Sequence, residues 1–463
     1  MLRRSLATAF AGGALGALAV ACTDGPDARA DLPPTSLVET WTLPMPVRDK
    51  YDLLFVIADS SSMAGEQAAL AANAPVFMQV LQQVEGGLAD VHIGVVTADV
   101  GVAGATGVPG CTPAGDDGEL LAPAACGVDG RFISDVSDGE GGRVRNYSGA
   151  LDQTFACLAR VGTRGCGYQM PLEAMRRALA PGKNPGFLRS YARLVVIIIA
   201  DQDDCSTTNA SLFADPSAGL SSPLGPLSPF RCFEQGIVCD GGGDPRASGT
   251  RTGCHPRAGA PYLVGLDDYA TFLTGLKPDP SSVMVSVVAG LDDPRHTVVV
   301  GPDPQRPADP AVERSCYRDD PADANDGATP PIRLAAFLQA FPNRRSFVSI
   351  CGPAYTDALT NLGARIGPAI GDPCVRHPLA DRNAGLPGLQ PECSFSVVGP
   401  SAVDAAPRER VLPPCAADSG PRCWELVPRQ GECVDTPDHL SIGLRAGGPD
   451  PLGGWVHGQC VVR

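Results

Sequence analysis

Leu53-Leu54-Phe55-Val56-Ile57 is a continuous apolar run, and such a run predicts a strand buried on both faces, as the central strands of parallel sheets are. Leu70, Ala74, Phe77, Leu81 and Val84 then recur at helical spacing, predicting a helix with one apolar face and a kink at Pro75. His92-Ile93-Gly94-Val95-Val96 reads as a strand, residues 149–160 as a helix, and Pro171 as the start of another helix with Leu172, Met175 and Leu179 on one face. Leu194-Val195-Val196-Ile197-Ile198-Ile199 is the most β-prone run in the chain and must be central. Further helices are expected through Tyr269, Phe272, Leu273 and Leu276, through Leu334, Phe337, Leu338 and Phe341, and through Leu359, Leu362 and Ile366. Strands at Val283 to Val288 and Phe347 to Ile350 interleave with them. Strands alternating with helices imply right-handed crossovers, and so an α/β fold with a doubly wound, mostly parallel sheet.

Three Gly/Pro/Asp-rich insertions interrupt this alternation at about residues 101–147, 206–262 and 292–331, and they hold Cys111, Cys126, Cys205, Cys232, Cys239, Cys254 and Cys316. Crosslinks are expected to substitute for a core there. After about residue 372 helical periodicity stops, while Cys374, Cys393, Cys415, Cys423, Cys433 and Cys460 crowd the remaining chain. The expected organisation is an α/β domain over 50–371 and a small, β-rich, cysteine-rich appendage over 372–463.

At the other end, Arg3 and Arg4 precede an uncharged run from Ser5 to Ala21 that closes on Leu18-Ala19-Val20-Ala21-Cys22. This resembles a bacterial lipoprotein signal, which implies loss of residues 1–21 and acylation of Cys22. The competing reading is a plain secretory signal with an incidental cysteine, or an anchor helix. Residues 22–49 are then a lipid-anchored tether, since residues 23–35 lack apolar periodicity and carry Pro, Asp and Gly. Seventeen cysteines less Cys22 leave an even number, with no C-x-x-C pair, so disulfides in an oxidising exterior fit better than zinc. Cys232, Cys239 and Cys254-His255 are the nearest approach to a zinc cluster, and Cys157 and Cys166 flank a connection short enough to close as a small loop.

Net charge is −15 and no stretch concentrates basic residues, which excludes a nucleic-acid partner. Past the N-terminus the apolar runs fall short of the roughly 20 residues of a membrane span, so membrane contact is expected through the lipid anchor only. Gly (54) and Pro (45) form about a fifth of the chain, which fits long irregular loops on a folded frame.

In an open α/β sheet, ligands bind at the carboxyl ends of strands where the winding reverses. Ala58-Asp59-Ser60-Ser61-Ser62-Met63 follows the first apolar strand, and Ala200-Asp201-Gln202-Asp203-Asp204 follows the most β-prone one. Hydroxyls and carboxylates are hard ligands that suit Mg²⁺ or Ca²⁺. Asp52-Leu-Leu-Phe-Val-Ile-Ala-Asp-Ser-Ser-Ser-Met63 resembles the first strand and loop of a von Willebrand factor A domain, whose metal-ion-dependent adhesion site reads D-x-S-x-S. The likeness spans about residues 50–370 and is strongest over 52–100 and 157–205. It implies that Ser60, Ser62 and Asp201 are metal ligands, with Thr163 of Val161-Gly-Thr-Arg-Gly165 in the middle loop and Asp59 adjacent. The first acid of the pattern is Ala58 here, and the alternative register, Asp59-x-Ser61-x-Met63, keeps the acid and loses the second serine. The competing reading is that these polar groups cap helices and end strands.

No H-E-x-x-H, G-x-S-x-G or phosphate-binding glycine loop occurs, so the chain lacks residues for those catalytic classes and reads as a non-enzyme. Asp323 to Gly327 reads as a turn rather than a calcium loop, and the six His are scattered surface or packing residues. The function expected is a surface-anchored binding or adhesion lipoprotein of a bacterial envelope, at the outer membrane or cell surface, holding a protein or matrix ligand. The alternative is a structural component of an envelope complex with a metal-free domain. Metabolic labelling with a fatty-acid analogue should mark the wild-type chain and not Cys22→Ser, and undiminished labelling of the variant would contradict the lipoprotein reading.

Overall fold

A computed structural model describes residues 37–463, apart from 45–49, 83–87, 139–141, 191, 278–279, 319–326, 343, 352–373, 384, 401–406, 417–422, 429–432, 434–435 and 446–454. The signal, Cys22, residues 23–35 of the tether, the Leu359–Ile366 helix and Asp323 therefore lie outside the described residues.

Strand β1 (Leu37–Pro44) opens the described chain. The first apolar run forms β2 (Lys50–Ile57), followed by α1 (Ala64–Gln82), which runs through Pro75, and β3 (Asp90–Thr97). Two short strands, β4 (Ile133–Ser137) and β5 (Arg143–Arg145), precede α2 (Leu151–Leu158), α3 (Pro171–Ala178) and β6 (Arg193–Ile199). Then come α4 (Phe230–Gly236), α5 (Leu266–Gly275), β7 (Val283–Ala289), α6 (Ile332–Leu338) and β8 (Arg345–Ser349).

The largest sheet among the described residues has seven strands in the order β8-β7-β6-β2-β3-β4-β5. Strands β8, β7, β6, β2 and β3 are mutually parallel, while β4 and β5 are antiparallel additions at one edge. The fold is thus mixed α/β with a large, mostly parallel sheet. In β2, Tyr51 through Ile57 are all buried, as the unbroken apolar run requires. Phe55 packs 5.7 Å from Phe77 of α1 and 4.6 Å from Phe155 of α2, centroid to centroid, so one strand residue ties two helices to the sheet. On another flank, the Tyr269 hydroxyl of α5 donates to Glu173 of α3 at 3.0 Å.

Sequence periodicity missed β4 and β5, which fall inside the 101–147 insertion. Their register is held by polar groups: the Arg143 guanidinium contacts the buried Asp135 carboxylate and donates to the Leu88 and Ala89 carbonyls at 2.8 and 2.7 Å. The other insertions also have a core of their own, in which Phe230, Phe233, Ile237, Val298 and Val300 pack together, so crosslinks supplement apolar burial there rather than replace it.

The appendage forms a separate four-stranded antiparallel sheet. β9 (Cys393–Pro400) pairs with β10 (Pro407–Leu412) and with β13 (Trp455–Val462), and β13 pairs in turn with β1. A hairpin of β11 (Cys423–Pro428) and β12 (Leu440–Arg445) lies in the same region of sequence. Residues 37–44, expected to belong to the tether, are therefore a strand, with Trp41 and Leu43 buried beside Phe395, Trp424 and Val456. Only two inward apolar residues carry that alternation, too few to read from sequence.

All sixteen cysteines past Cys22 are disulfide-bonded: 111–166, 126–157, 205–232, 239–254, 316–351, 374–433, 393–460 and 415–423. Cys157 and Cys166 do not pair with each other; each reaches back into the first insertion. Cys232, Cys239 and Cys254 are spent in disulfides, which removes the zinc alternative.

At the amino end of β2 the buried Asp52 carboxylate accepts hydrogen bonds from Arg189 Nε at 2.8 Å, the Arg189 amide at 2.8 Å and Lys277 Nζ at 3.1 Å. Burial pushes the Lys277 ammonium below its ordinary range while Asp52 pulls it back. Asp52→Ala should cost about 3–5 kcal/mol, because it strands a buried ammonium and a buried guanidinium. Denaturant unfolding checks this: the midpoint should fall with the slope unchanged, and a loss under about 1 kcal/mol would mean the cluster is solvated.

Candidate functional site

Strands β2 and β6 are neighbours in parallel register, with Ile57 opposite Ile199, so the loops that follow them leave the same edge of the sheet side by side. The Ala58 amide donates to the Ile199 carbonyl at 2.9 Å, carrying the pairing one residue past the strands. Polar side chains begin at once beyond it. Ser60 Oγ lies 3.0 Å from Ser62 Oγ and donates to Asp201 Oδ1 at 3.5 Å. All three residues are buried. Ser60 also stands at the N-cap of a short 3-10 turn, Ser61–Met63, yet its side chain makes no capping bond, so its hydroxyl serves Asp201 instead.

Burial raises the Asp201 carboxyl above the ordinary carboxylate range, while hydrogen bonds from Ser62 and Ser60 and the charge of Arg314 oppose the rise. Asp201 Oδ2 accepts no hydrogen bond among the described residues. The Arg314 guanidinium stands 3.9 Å from it. Arg314 belongs to the third insertion, and four residues on, Arg318 approaches the buried Glu66 of α1 at 3.3 Å. Between these two arginines Cys316 is bonded to Cys351, just past β8, so a disulfide holds the segment that carries both cations across the carboxyl edge of the sheet. Sequence periodicity gives no sign of Arg314 or Arg318, since nothing local in an irregular insertion shows where it folds back.

Asp59 faces a different group. Its amide donates to Gln169 Oε1 at 3.2 Å and its carbonyl accepts from the Gly165 amide at 2.9 Å. Its carboxyl is pushed up to about 7, first by burial and then by the charges of Asp99 and Asp116. A Cβ at Gly165 would stand 2.2 Å from that carboxyl, so only glycine lets the middle loop approach so closely. Of the two registers, the one using Ser60 and Ser62 converges on Asp201; Ser61 is exposed.

Thr163 is half-buried in the middle loop, which Gln67 ties to the first loop by donating to the Ala58 carbonyl at 3.1 Å and the Gly162 carbonyl at 2.7 Å. Among the described residues Thr163 makes no hydrogen bond to Ser60, Ser62 or Asp201. Asp203 and Asp204 do cap helices: Asp203 accepts from the Arg333 and Leu334 amides at the start of α6, and Asp204 from the Leu172 amide at the start of α3. The capping reading thus holds for this second pair and not for Ser60.

No family model matches the chain, and no curated protein matches it. Among solved structures, the pilus adhesin SpaC from Lactobacillus rhamnosus GG aligns at TM-score 0.33 and 12 % identity over 92 % of this chain. The chain spans 41 % of that adhesin's length. The vWF domain of the type V pili tip protein Mfa5 from Porphyromonas gingivalis aligns at TM-score 0.30 and 13 % identity, over 70 % of this chain and 97 % of that domain. The adhesive tip pilin GBS104 from Group B Streptococcus agalactiae aligns at 0.28 and 10 %, over 92 % and 81 % of the two chains. Likenesses this distant carry no argument about what this chain does.

Because the Asp59 carboxyl is raised from 3.8 to about 7, the folded chain holds a proton there that the unfolded chain releases earlier, so stability from this group falls as pH rises between those values. Asp59→Asn should leave stability unchanged near pH 4 and increase it at pH 8, by at most about 4 kcal/mol. Thermal denaturation at the two pH values checks this; an equal effect at both would show that Asp59 does not titrate in this range.

Proposed function

We propose that this chain is a non-enzymatic binding module of a bacterial cell envelope, held by acylated Cys22 at the outer membrane or cell surface. Its α/β domain is doubly wound in the manner of a von Willebrand factor A domain and presents the carboxyl edge of β2 and β6 to a protein or matrix partner. The winding is supported by strand order: β2 sits between β3 and β6, and successive strands step outward from it in opposite directions. The observation that carries the functional reading is the Ser60–Ser62–Asp201 cluster. A serine that could cap a turn aims its hydroxyl at a buried carboxylate one of whose oxygens accepts no hydrogen bond among the described residues. Buried carboxylate oxygens without partners are costly, and proteins retain them where a ligand satisfies them.

The donor set fits Mg²⁺ or Ca²⁺ in kind, since two hydroxyls and a carboxylate are hard oxygen ligands. It fits less well in charge. Ala58 replaces the acid that begins the adhesion pattern, burial and the charge of Asp99 push the Asp59 carboxyl toward its neutral form, and Arg314 already sets a positive charge beside Asp201. Ser60, Ser62 and Asp201 would hold the ion, and a bound dication would offer its open position to a partner's carboxylate. Arg314 also favours the second reading, a structural component of an envelope complex whose domain docks without metal.

Titration calorimetry with Mg²⁺ and Ca²⁺ separates the two. Under the first reading wild type binds in the millimolar range typical of low-charge extracellular sites, Asp201→Ala abolishes the heat, and both Arg314→Gln and Ala58→Asp tighten binding by about tenfold or more. If neither charge change produces binding, the metal-free reading stands.

A further inference from the structure

Beside the Asp201 loop lies a cavity of about 490 Å³, roofed by the second and third insertions and floored by the loops that follow β6 and precede α3. Its size is that of a small-molecule site. Tyr168, Phe230 and Phe233 line its walls, and Tyr317, 40 % exposed, stands on the third insertion and also lines it. The Tyr168 hydroxyl makes no hydrogen bond among the described residues, and burial pushes it up to about 12, so it stays a donor at any physiological pH. A tyrosine hydroxyl held in a cavity wall without a protein partner among the described residues points to a ligand that completes it.

Charge narrows the ligand. Asp203, Asp204, Asp303 and Glu313 line the cavity, against the single cation Arg314. Some of that negative charge is already met: Asp204 by Arg333 at 3.1 Å, Asp303 by Arg306 at 3.6 Å, and Asp203 by helix amides. Arg314 is directed to Asp201. Glu313 has no ion pair among the described residues and is exposed. Burial also pushes the Asp203 carboxyl up to about 7, so the uncompensated negative charge of the lining is that of Glu313, next to aromatic rings and in a chain of net charge −15. Anions are repelled from such a site, whereas a cation gains both from the carboxylates and from the ring faces.

We propose that this cavity binds an organic cation, an alkylammonium or guanidinium group, with its charge toward Glu313 and its carbon stem against Tyr168, Phe230 and Tyr317. The same chemistry is offered by a free small amine and by a lysine or arginine side chain on a partner protein. The site is distinct from the divalent site, requires no metal, and stands whether or not Asp201 binds one.

The test uses the mature chain with disulfides intact, in a chelating buffer, and follows binding by calorimetry. The probes are Nα-acetyl-lysine methylamide, Nα-acetyl-arginine methylamide, the corresponding glutamate derivative, methyl glucoside, and a seven-residue peptide with one central lysine. The lysine or arginine derivative should bind and the glutamate derivative should not, with affinity falling as salt rises. Glu313→Gln, an exposed change that leaves the fold intact, should weaken binding by about tenfold, and Tyr317→Ala should weaken it comparably. A peptide that binds at least about tenfold tighter than the single-residue probe identifies a protein side chain as the source, and equal affinities identify a free amine. Failure of both cationic probes, binding insensitive to Glu313→Gln, or equal binding of methyl glucoside would overturn the proposal.

Discussion

Everything distinctive here depends on two strands, β2 and β6, lying side by side while buried on both faces. Such a pair tolerates no polar side chain along its middle, so polar groups collect at its two ends, and each end buries a carboxylate. At the amino end Asp52 is met by two cations within 3.1 Å. At the carboxyl end Asp201 has serine hydroxyls and one guanidinium 3.9 Å away, and one of its oxygens accepts no hydrogen bond among the described residues. A buried charge that is fully paired is structure; one left under-satisfied retains capacity for a ligand. The contrast between two aspartates on one sheet separates a fully paired amino edge from the carboxyl edge proposed above for binding.

The insertions matter because of where the disulfides anchor them. Cys111 and Cys126 are bonded to Cys166 and Cys157, so the first insertion is fixed to α2 and to the segment between α2 and α3. Cys205–Cys232 fixes the second insertion to the loop that carries Asp201, and Cys316–Cys351 fixes the third to the end of β8. Crosslinks of this sort act largely by restricting the unfolded chain, by about 2–4 kcal/mol each. Here they also aim side chains: without the third crosslink nothing covalent would hold Arg314 and Arg318 near Asp201 and Glu66.

The frame was legible in sequence because fully buried strands leave a signal that no surface segment imitates. The runs at 53–57 and 194–199 became β2 and β6, and Pro171 opened α3 at its first position. What failed to show was held by other physics. β4 and β5 are registered by Arg143 and Asp135 rather than by apolar alternation, and β1 exists because β13, which completes its ladder, lies at the far end of the chain. The cysteine pattern gave the number of pairs but not the partners, because Cys157 and Cys166 are close in sequence while each finds a partner in a distant insertion. At the site, Ser60, Ser62 and Asp201 followed from strand ends meeting at one edge. Asp59 did not, since its direction is set by Gly165 and Gln169 across the middle loop.

Ala58 and Arg314 make sense together. An acid at position 58 would add a second negative charge at the start of the neighbouring loop, and a dication is the usual means of meeting two charges there. With alanine in that position Asp201 is the carboxylate that faces Ser60, and one guanidinium 3.9 Å away offsets its charge without any ion from solution. A guanidinium is always charged and weakly hydrated, so it suits a site from which water is partly excluded. It is also fixed to the chain, whereas an ion of millimolar affinity comes and goes with its concentration. On the reading proposed above, the edge of the sheet would be poised between two cations, one covalently attached and one drawn from the medium, and whichever of them a partner's carboxylate met would set how far binding depends on divalent ions.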